Sequence, residues 1–264
     1  MLGCDFCCDF CQNWMTSQVM RDDAASLGAA YVQPVSPEQL IATARRSHAP
    51  LVISSYNEPL ITSEWAIDIF RLAQQEGLRC AYVSNGYATE RVLAELRPYL
   101  TGFKVDLKTM QQSHYRSLGG SLKPVLASIR RAHELGLWVE TVTLVIPGFN
   151  DGDDEFKEMA EFVASVSPDI PMHFTAFHPD YKKTDPGPTP AATLQRAAEI
   201  AQAAGVRYVY AGNLPGRVGS LEDTFCPNCK ARLVERLGFS IRSNRVTAEG
   251  TCPDCGAAIA GVWN

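Results

Sequence analysis

The sequence predicts an α/β fold in which parallel strands alternate with helices. Short apolar runs rich in β-forming residues recur between residues 51 and 210, and amphipathic segments of helical period lie between them. Strand followed by helix, repeated along the chain, is typical of parallel βα units with right-handed connections. The pattern is compatible with a doubly wound sheet and with a full or partial barrel, and composition does not choose between them.

Each predicted strand is a run of β-branched, aromatic or small apolar residues bounded by polar or turn-forming ones. The runs are Leu51–Ile53, Cys80–Val83, Phe103–Val105, Val139–Ile146, His173–Thr175 and Tyr208–Tyr210.

The helices are predicted from apolar residues at i, i+3, i+4 and i+7, and from the glycine or proline that ends each one. The last helix is predicted to have Thr189 as its N-cap, Pro190 in its first turn, and Gly205 as its stop. The apolar positions of the others are Ala66, Ile69, Phe70 and Ala73 before Gly77, Leu122, Val125, Leu126 and Ile129 before Gly136, and Phe156, Met159, Ala160 and Val163 before Pro168.

Polar, turn-forming residues follow five of the predicted strands. The carboxyl ends of parallel strands form the edge at which α/β folds bind ligands, so we expect these loops to build a site. They contain Asn57–Pro59, Ser84–Gly86, Asp106 with Lys108, Pro147–Gly148, and His178.

Composition and charge exclude several classes of protein. The 264 residues are 46% hydrophobic and 20% charged, which suits one large globular domain, alone or with a small one. The net charge of −5 argues against nucleic-acid binding. No stretch approaches the roughly 20 apolar residues of a membrane span. Asp5 and Asp9 interrupt the N-terminus, so we expect no secretory signal and a cytoplasmic protein.

The nine cysteines fall into two tight groups and one isolated position. Four lie within residues 4–11, four form two pairs near the C-terminus, and Cys80 lies in an apolar run where we expect a buried thiol. A secreted disulfide framework would spread its cysteines through a shorter chain. The two groups therefore indicate metal.

The N-terminal cysteines allow two groupings. They form either two Cys-x-x-Cys pairs, as in a zinc site, or a Cys4-x3-Cys8-x2-Cys11 set with Cys7 as a bystander. Zinc pairs normally come from separated knuckles, so that four thiolates can surround the ion. Three cysteines on a short loop can instead hold three irons of a cubane cluster and leave the fourth iron open, and we favour this second grouping.

The second grouping, followed by Gln12, Asn13 and Trp14, resembles the cluster loop of radical S-adenosylmethionine (SAM) enzymes. With later motifs in matching order, the sequence resembles almost end to end the radical SAM member of the AmmeMemoRadiSam system, a group similar to pyruvate formate-lyase activating enzymes. Those motifs are Tyr56–Pro59, Lys104–Lys108, Ile146–Asp151, His173–Phe174, Phe177–Tyr181 and Tyr210–Asn213.

The resemblance implies a partial (β/α)6-type radical SAM barrel and its cofactors. A [4Fe-4S] cluster would be held by Cys4, Cys8 and Cys11, with SAM at the fourth iron. An electron donor such as flavodoxin or ferredoxin would supply the electron, and a partner protein or small molecule would lose a hydrogen atom. Family members have a strand before the cluster loop, and only Met1–Gly3 precede Cys4. We therefore expect the first strand to be missing and the chain to be truncated.

The resemblance also assigns SAM-binding positions, but no catalytic residue. Tyr56, Asn57 and Glu58 stand where the family has Gly-Gly-Glu, so both glycines are absent and the carboxylate remains. The other matched positions at strand ends are Ser84, Asn85, Asp106, Lys108 and His178.

The C-terminal cysteines form two Cys-Pro-x-Cys knuckles, Cys226 with Cys229 and Cys252 with Cys255. Two such knuckles predict a closed, structural Cys4 zinc site, with a rubredoxin-like iron as the alternative. Short strands are expected at 233–236 and 240–242. We predict a radical SAM domain at 1–214 and a zinc-ribbon-like unit at 215–264.

A second function remains open at this point. The chain could be a non-enzymatic zinc-ribbon binding protein with two Cys4 sites, one at each end.

Overall fold

The computed structural model describes residues 1–25 and 32–263. It contains a six-stranded parallel sheet, whose strands follow chain order, and a three-stranded antiparallel sheet. The parallel sheet confirms the predicted α/β class.

All six predicted runs are strands, with ends shifted by a few residues. The shift is clearest in the last strand, which is predicted at 208–210 and lies at 209–212. The strands are β1 Leu51–Ser54, β2 Arg79–Ser84, β3 Gly102–Asp106, β4 Trp138–Val145, β5 Met172–Ala176 and β6 Val209–Gly212.

The predicted helices are present, and their apolar stripes are buried except at Leu122 and Leu126, which are partly buried. In the helix after β1, the side chains of Ala66, Ile69, Phe70 and Ala73 are all buried, as the spacing predicts. The helices of the described residues are α1 Trp14–Ser17, α2 Pro37–Arg46, α3 Ser63–Gln75, α4 Glu90–Leu96, α5 Gln112–Ser117, α6 Leu122–Glu134, α7 Asp153–Val166 and α8 Ala191–Ala203.

Helix α2 was not predicted, although its start has a recognisable signature. The Ser36 hydroxyl accepts a hydrogen bond from the Gln39 N–H, and the Gln39 side chain accepts one from the Ser36 N–H. Pro37 occupies the first turn. This is a capping box, and it was missed because the helix is short and buries little apolar surface.

The prediction that Thr189 is the N-cap of α8 is wrong. Pro190 is the N-cap. The buried Thr189 hydroxyl donates a hydrogen bond to the Val145 carbonyl. It accepts one from the Phe177 N–H at 3.0 Å. The hydroxyl therefore pairs two backbone groups at the ends of β4 and β5. Without it, these groups would be buried and unpaired.

The chain divides into two compact units. The first contains residues 1–107, 111–139 and 180–184, and the second contains 108–110, 140–179 and 185–264. Phe70, Tyr82 and Phe103 are buried in the first. The boundary at 214/215 stays a prediction.

The second unit includes the C-terminal antiparallel sheet. Its strands are β7 Thr224–Phe225, β8 Arg232–Leu237 and β9 Ser240–Asn244, which confirms the two short strands expected between the knuckles. Its core packs Tyr208, which precedes β6, with Cys226, Leu233, Val234, Cys252 and Ile259.

Within the described residues, no helix is both long and apolar enough to span a bilayer.

Candidate functional site

The N-terminal cysteine loop directs its sulfurs toward different neighbours. Cys4 Sγ accepts a hydrogen bond from the Phe6 N–H at 3.4 Å, and the Asn85 side-chain amide lies 3.9 Å from the same sulfur. Cys11 Sγ lies 3.2 Å from the Ser17 hydroxyl. Cys8 is buried. The Cys4 sulfur therefore has one neighbour from far along the chain, Asn85, whereas the neighbour of Cys11 lies only six residues away.

Cys7 faces the turn after α5. Its N–H donates to the Leu118 carbonyl at 2.8 Å, and its exposed thiol lies 3.9 Å from the Ser117 carbonyl. This contact supports the prediction that Cys7 is a bystander, which stays a prediction.

Phe6 anchors the loop in the first unit. Its ring is fully buried and contacts the rings of Tyr87 and Tyr115, with centroids at 5.4 and 6.1 Å. A Cβ at Gly120 would lie 2.4 Å from the Phe6 ring, so only glycine fits there. A sequence prediction based on cysteine spacing does not reveal this anchor.

Glu58 is a buried carboxylate that accepts three hydrogen bonds. The donors are the Ser84 hydroxyl at 2.7 Å, the Asn85 N–H at 2.7 Å and the Leu60 N–H at 3.0 Å. Only 1% of the residue is exposed. Burial raises the pKa of Glu58 to about 7, against the opposing effect of these donors.

Asn85 links Glu58 to the cysteine loop. While its N–H donates to Glu58, its side-chain amide donates to Asp5 Oδ1 at 2.6 Å. The structure thus brings three sequence-predicted residues, Glu58, Ser84 and Asn85, together with the loop. Asp5 was not predicted, and its position next to Cys4 is the signal that could have found it.

The two residues before Glu58 are conformationally and chemically unusual. Tyr56 has φ of 77°, in the left-handed region that favours glycine, and its side chain is exposed. The backbone at Tyr56 therefore has a conformation that glycine adopts readily and that tyrosine rarely adopts. Asn57 Nδ2 is buried, and the described residues offer it no hydrogen-bond partner. An unpaired buried donor beside a buried carboxylate is suited to a polar ligand.

The remaining predicted positions lie at strand ends in both units. Asp106 is the last residue of β3 and is half-buried in the first unit. Lys108 and His178 belong to the second unit, where the Lys108 carbonyl accepts from Asn150 Nδ2 at 2.7 Å and His178 is exposed.

The burial of Cys4 affects the form of its thiol. Desolvation raises the pKa of Cys4 well above its usual range, and the nearby carboxylates of Asp5 and Glu58 add to the effect. A thiolate at this position therefore needs a compensating positive charge, which a metal centre supplies.

The C-terminal cysteines form a compact four-sulfur group. All four sulfurs lie within 4.8 Å of one another, with Cys226 Sγ 3.6 Å from Cys255 Sγ and Cys229 Sγ 3.7 Å from Cys252 Sγ. Tetrahedral zinc with Zn–S bonds of about 2.3 Å places its sulfurs about 3.8 Å apart. Among the described residues, the N-terminal cysteines do not form a group this tight.

Backbone turns set up each knuckle. The N–H of Cys226 donates to the Ala231 carbonyl at 2.9 Å, and that of Cys252 donates to the Ala257 carbonyl at 2.8 Å. The Ala257 N–H, followed by the Asn228 amide, lowers the pKa of the Cys255 thiol. This donor set favours the anionic sulfur that metal binding requires.

Comparison with known proteins agrees with this geometry. The family model described as the radical SAM superfamily matches residues 1–163. An uncharacterised protein of Methanocaldococcus jannaschii is 35% identical over 259 residues, covering 97% of this chain and 75% of that protein.

Two activating enzymes are more distant matches. The pyruvate formate-lyase 1-activating enzyme of Escherichia coli is 25% identical over 175 residues, covering 60% of this chain and 70% of the enzyme. A domain of the pyruvate-formate lyase-activating enzyme from Bacteroides vulgatus superposes with a TM-score of 0.53 and 24% identity, covering 61% of this chain and 98% of that domain. The structural match shows a shared fold.

Proposed function

The chain belongs to the radical SAM superfamily, and from that premise we propose that it is an enzyme of the activating-enzyme type, within the AmmeMemoRadiSam group. The family implies a [4Fe-4S] cluster and SAM. With both bound, the chemistry supplied is one-electron cleavage of SAM to methionine and a 5′-deoxyadenosyl radical that abstracts a hydrogen atom.

The observation that carries the proposal is the continuous network from Cys4 through Asn85 to Glu58. It joins the cysteine loop to a buried carboxylate by hydrogen bonds of 2.6 and 2.7 Å, with Asn85 facing Asp5 and Glu58. The residues fit the two groups. Cys4, Cys8 and Cys11 would hold the cluster, and Glu58 would bind the SAM amino group.

Glu58 would act as an ionised acceptor. A cationic amino group beside the carboxylate lowers its pKa, so ligand binding favours the charged form. Ser84 and Asn85 hold the carboxylate in one orientation. The unpaired Asn57 Nδ2 would donate to a carboxylate oxygen of the same ligand.

The other matched residues would bind the rest of SAM. We assign Tyr56 to the turn that exposes the backbone beside Glu58. We assign Asp106 to the nucleoside end of SAM. Lys108 and His178 are matched to SAM-binding positions by the resemblance alone, and we keep that assignment as a prediction. The fold that we propose is a partial (β/α)6-type barrel, in which the carboxyl ends of the strands would bind the ligand.

The C-terminal Cys4 group would hold one structural zinc in a zinc-ribbon-like unit, 215–264. All four sulfurs are used, so no position is left open for catalysis. A rubredoxin-like iron has the same sulfur arrangement, and metal analysis separates the two.

The remaining parts of the proposal concern the substrate and its setting. By its name, the E. coli relative activates pyruvate formate-lyase, and by analogy this chain would abstract hydrogen from a partner protein. A small-molecule substrate is the alternative. Flavodoxin or ferredoxin would donate the electron, and a cytoplasmic location remains a prediction.

The test is production of 5′-deoxyadenosine. The chain, reconstituted anaerobically with iron and sulfide and reduced with dithionite, should form 5′-deoxyadenosine and methionine from SAM, measured by mass spectrometry. Cys8→Ala is the matched control and should form neither. An iron-loaded chain that binds SAM but forms no 5′-deoxyadenosine contradicts the enzyme and indicates a cluster-carrying scaffold.

A non-enzymatic protein with two Cys4 zinc sites is the second candidate. Within the described residues, only the C-terminal sulfurs converge to zinc spacing, which favours the enzyme.

A further inference from the structure

A short segment that follows β5 contacts the cysteine loop. Residues 180–184 come directly after residues of the second unit, yet their contacts place them in the first unit. We call this segment, Asp180–Thr184, the strap.

The strap holds the backbone of the cysteine loop between two cysteines. The N–H groups of Lys182 and Lys183 both donate to the Asp9 carbonyl, at 3.0 and 2.9 Å. The Lys183 ammonium lies 3.9 Å from the Asp9 carboxylate. Since Asp9 follows Cys8 directly and precedes Cys11 by two residues, these bonds fix the part of the loop that carries both sulfurs.

The strap also holds the segment after the loop. The Tyr181 ring stacks on Trp14, with centroids 5.1 Å apart and an angle of 12°. The Tyr181 hydroxyl donates to Asp22 Oδ2, and the Lys182 ammonium lies 2.7 Å from the same oxygen. These two donors hold the pKa of Asp22 at about 2. Asp22 is therefore ionised, and paired with Lys182, throughout the physiological range.

The strap's own backbone is held in an uncommon conformation. Tyr181 has φ of 54°, which non-glycine residues rarely adopt, and its N–H donates to the Asp180 carboxylate at 2.7 Å. Such a conformation persists where surrounding contacts over-determine it. Here the stacking, the ion pair and the two backbone bonds all converge on three consecutive residues.

We propose that the strap is a clamp on the cluster-binding loop, with Tyr181 and Lys182 as positioning residues that act through Trp14, Asp9 and Asp22. The proposal rests on the proposed function for the identity of the metal centre. The clamp keeps the backbone around Cys8 and Cys11 in place, and so slows loss of iron and entry of small reagents at the cluster.

The first experiment measures the clamp without any metal. Hydrogen exchange of residues 9–22 is followed by mass spectrometry in the full, metal-free chain. Tyr181→Ala and Asp22→Ala should each raise exchange there by about tenfold, since each removes contacts worth at least one charged hydrogen bond. Lys182→Ala should also raise the exchange rate, because it removes the ion pair with Asp22. Lys182→Arg keeps the positive charge and should exchange at the wild-type rate. Lys157→Ala, which breaks an exposed ion pair in α7, is the matched control and should have no effect.

The second experiment measures the consequence for the cluster. Reconstituted variants are mixed with EDTA, and the absorbance near 400 nm is followed. Tyr181→Ala should load iron normally and lose it about tenfold faster than wild type. Tyr181→Phe, which keeps the ring stack and loses the hydroxyl, should lie between them.

The outcomes separate the clamp from the proposed function. Unchanged exchange in Tyr181→Ala and Asp22→Ala overturns the clamp, whatever the metal. Faster exchange with unchanged iron loss shows a structural contact that does not protect the cluster, and also overturns it. A wild-type chain that takes up no iron contradicts the proposed function, while metal-free exchange still decides whether the strap clamps the loop.

Discussion

The two four-cysteine regions of this chain differ in where their sulfurs and the neighbours of those sulfurs come from. The C-terminal sulfurs come from two separated knuckles and converge to within 4.8 Å, each knuckle closed by its own backbone bonds. The N-terminal sulfurs come from eight contiguous residues, and the distant residues Asn85 and Ser117 lie next to two of them, Cys4 and Cys7. A self-contained site should chiefly support folding, whereas a site built from distant parts should be sensitive to its surroundings.

The largest effect is expected from the cysteines of the loop. Cys8→Ala should abolish iron uptake and SAM cleavage, because it removes one of the three thiolates that we propose each hold an iron. Cys7→Ala should retain both, since Cys7 faces the turn at Ser117. Iron analysis and 5′-deoxyadenosine formation measure the difference. The reverse pattern would show that the grouping of the cysteines is wrong.

The second effect concerns the closed site. Cys252→Ser should release one metal ion and expose the tail to protease, because binding contributes of order 10 kcal/mol to folding in small zinc modules. Iron at the N-terminal loop should remain. Cys80→Ala, at a buried thiol outside both groups, should leave the metal content unchanged. Retention of zinc by Cys252→Ser would contradict the assignment.

A third prediction concerns the carboxylate beside the loop. Glu58→Gln should leave the cluster intact and weaken SAM binding about 100-fold, near the upper range for loss of a charged hydrogen bond. Titration calorimetry measures this, with Glu64→Gln, an exposed residue on α3, as the control.

The pH dependence of SAM binding sharpens the same comparison. Because the pKa of Glu58 is about 7, the charged form dominates above pH 7 and is lost as pH falls below it. Wild-type affinity should therefore fall on acidification through pH 7, and Glu58→Gln should abolish that dependence. An identical pH profile in both proteins would exclude Glu58 as the ligand.

The smallest effect is expected at Asp106, which is half-buried. Asp106→Ala should keep the brown cluster and weaken SAM binding or cleavage by about tenfold, the lower range for one charged hydrogen bond. Unchanged cleavage would show that Asp106 makes only local contacts.

Local signals predicted much of this fold. The spacing of apolar residues located all six parallel strands and the apolar stripes of α3, α6 and α7, because both depend on neighbours within a few residues. The C-terminal knuckles were predicted for the same reason. Thr189 was misassigned because its hydroxyl is bound by groups at Val145 and Phe177, which no local pattern reveals.

The site itself was predicted in part. Glu58, Ser84 and Asn85 were found by motif, but the hydrogen bond from Asn85 to Asp5 joins residues 80 positions apart. Asp180 and Tyr181 of the strap belong to a matched motif, yet the bond between Tyr181 and Asp22 spans 159 positions. Long-range pairs of this kind depend on the folded backbone, so a single sequence cannot supply them.

Metal analysis of the anaerobically purified chain tests the contrast between the two regions most directly. We predict about four irons and about one zinc per chain, with a brown colour, because the loop would hold a [4Fe-4S] cluster and the knuckles would hold a single ion. A colourless protein with about two zincs and no iron would contradict it, and would show that both ends of the chain are Cys4 zinc sites.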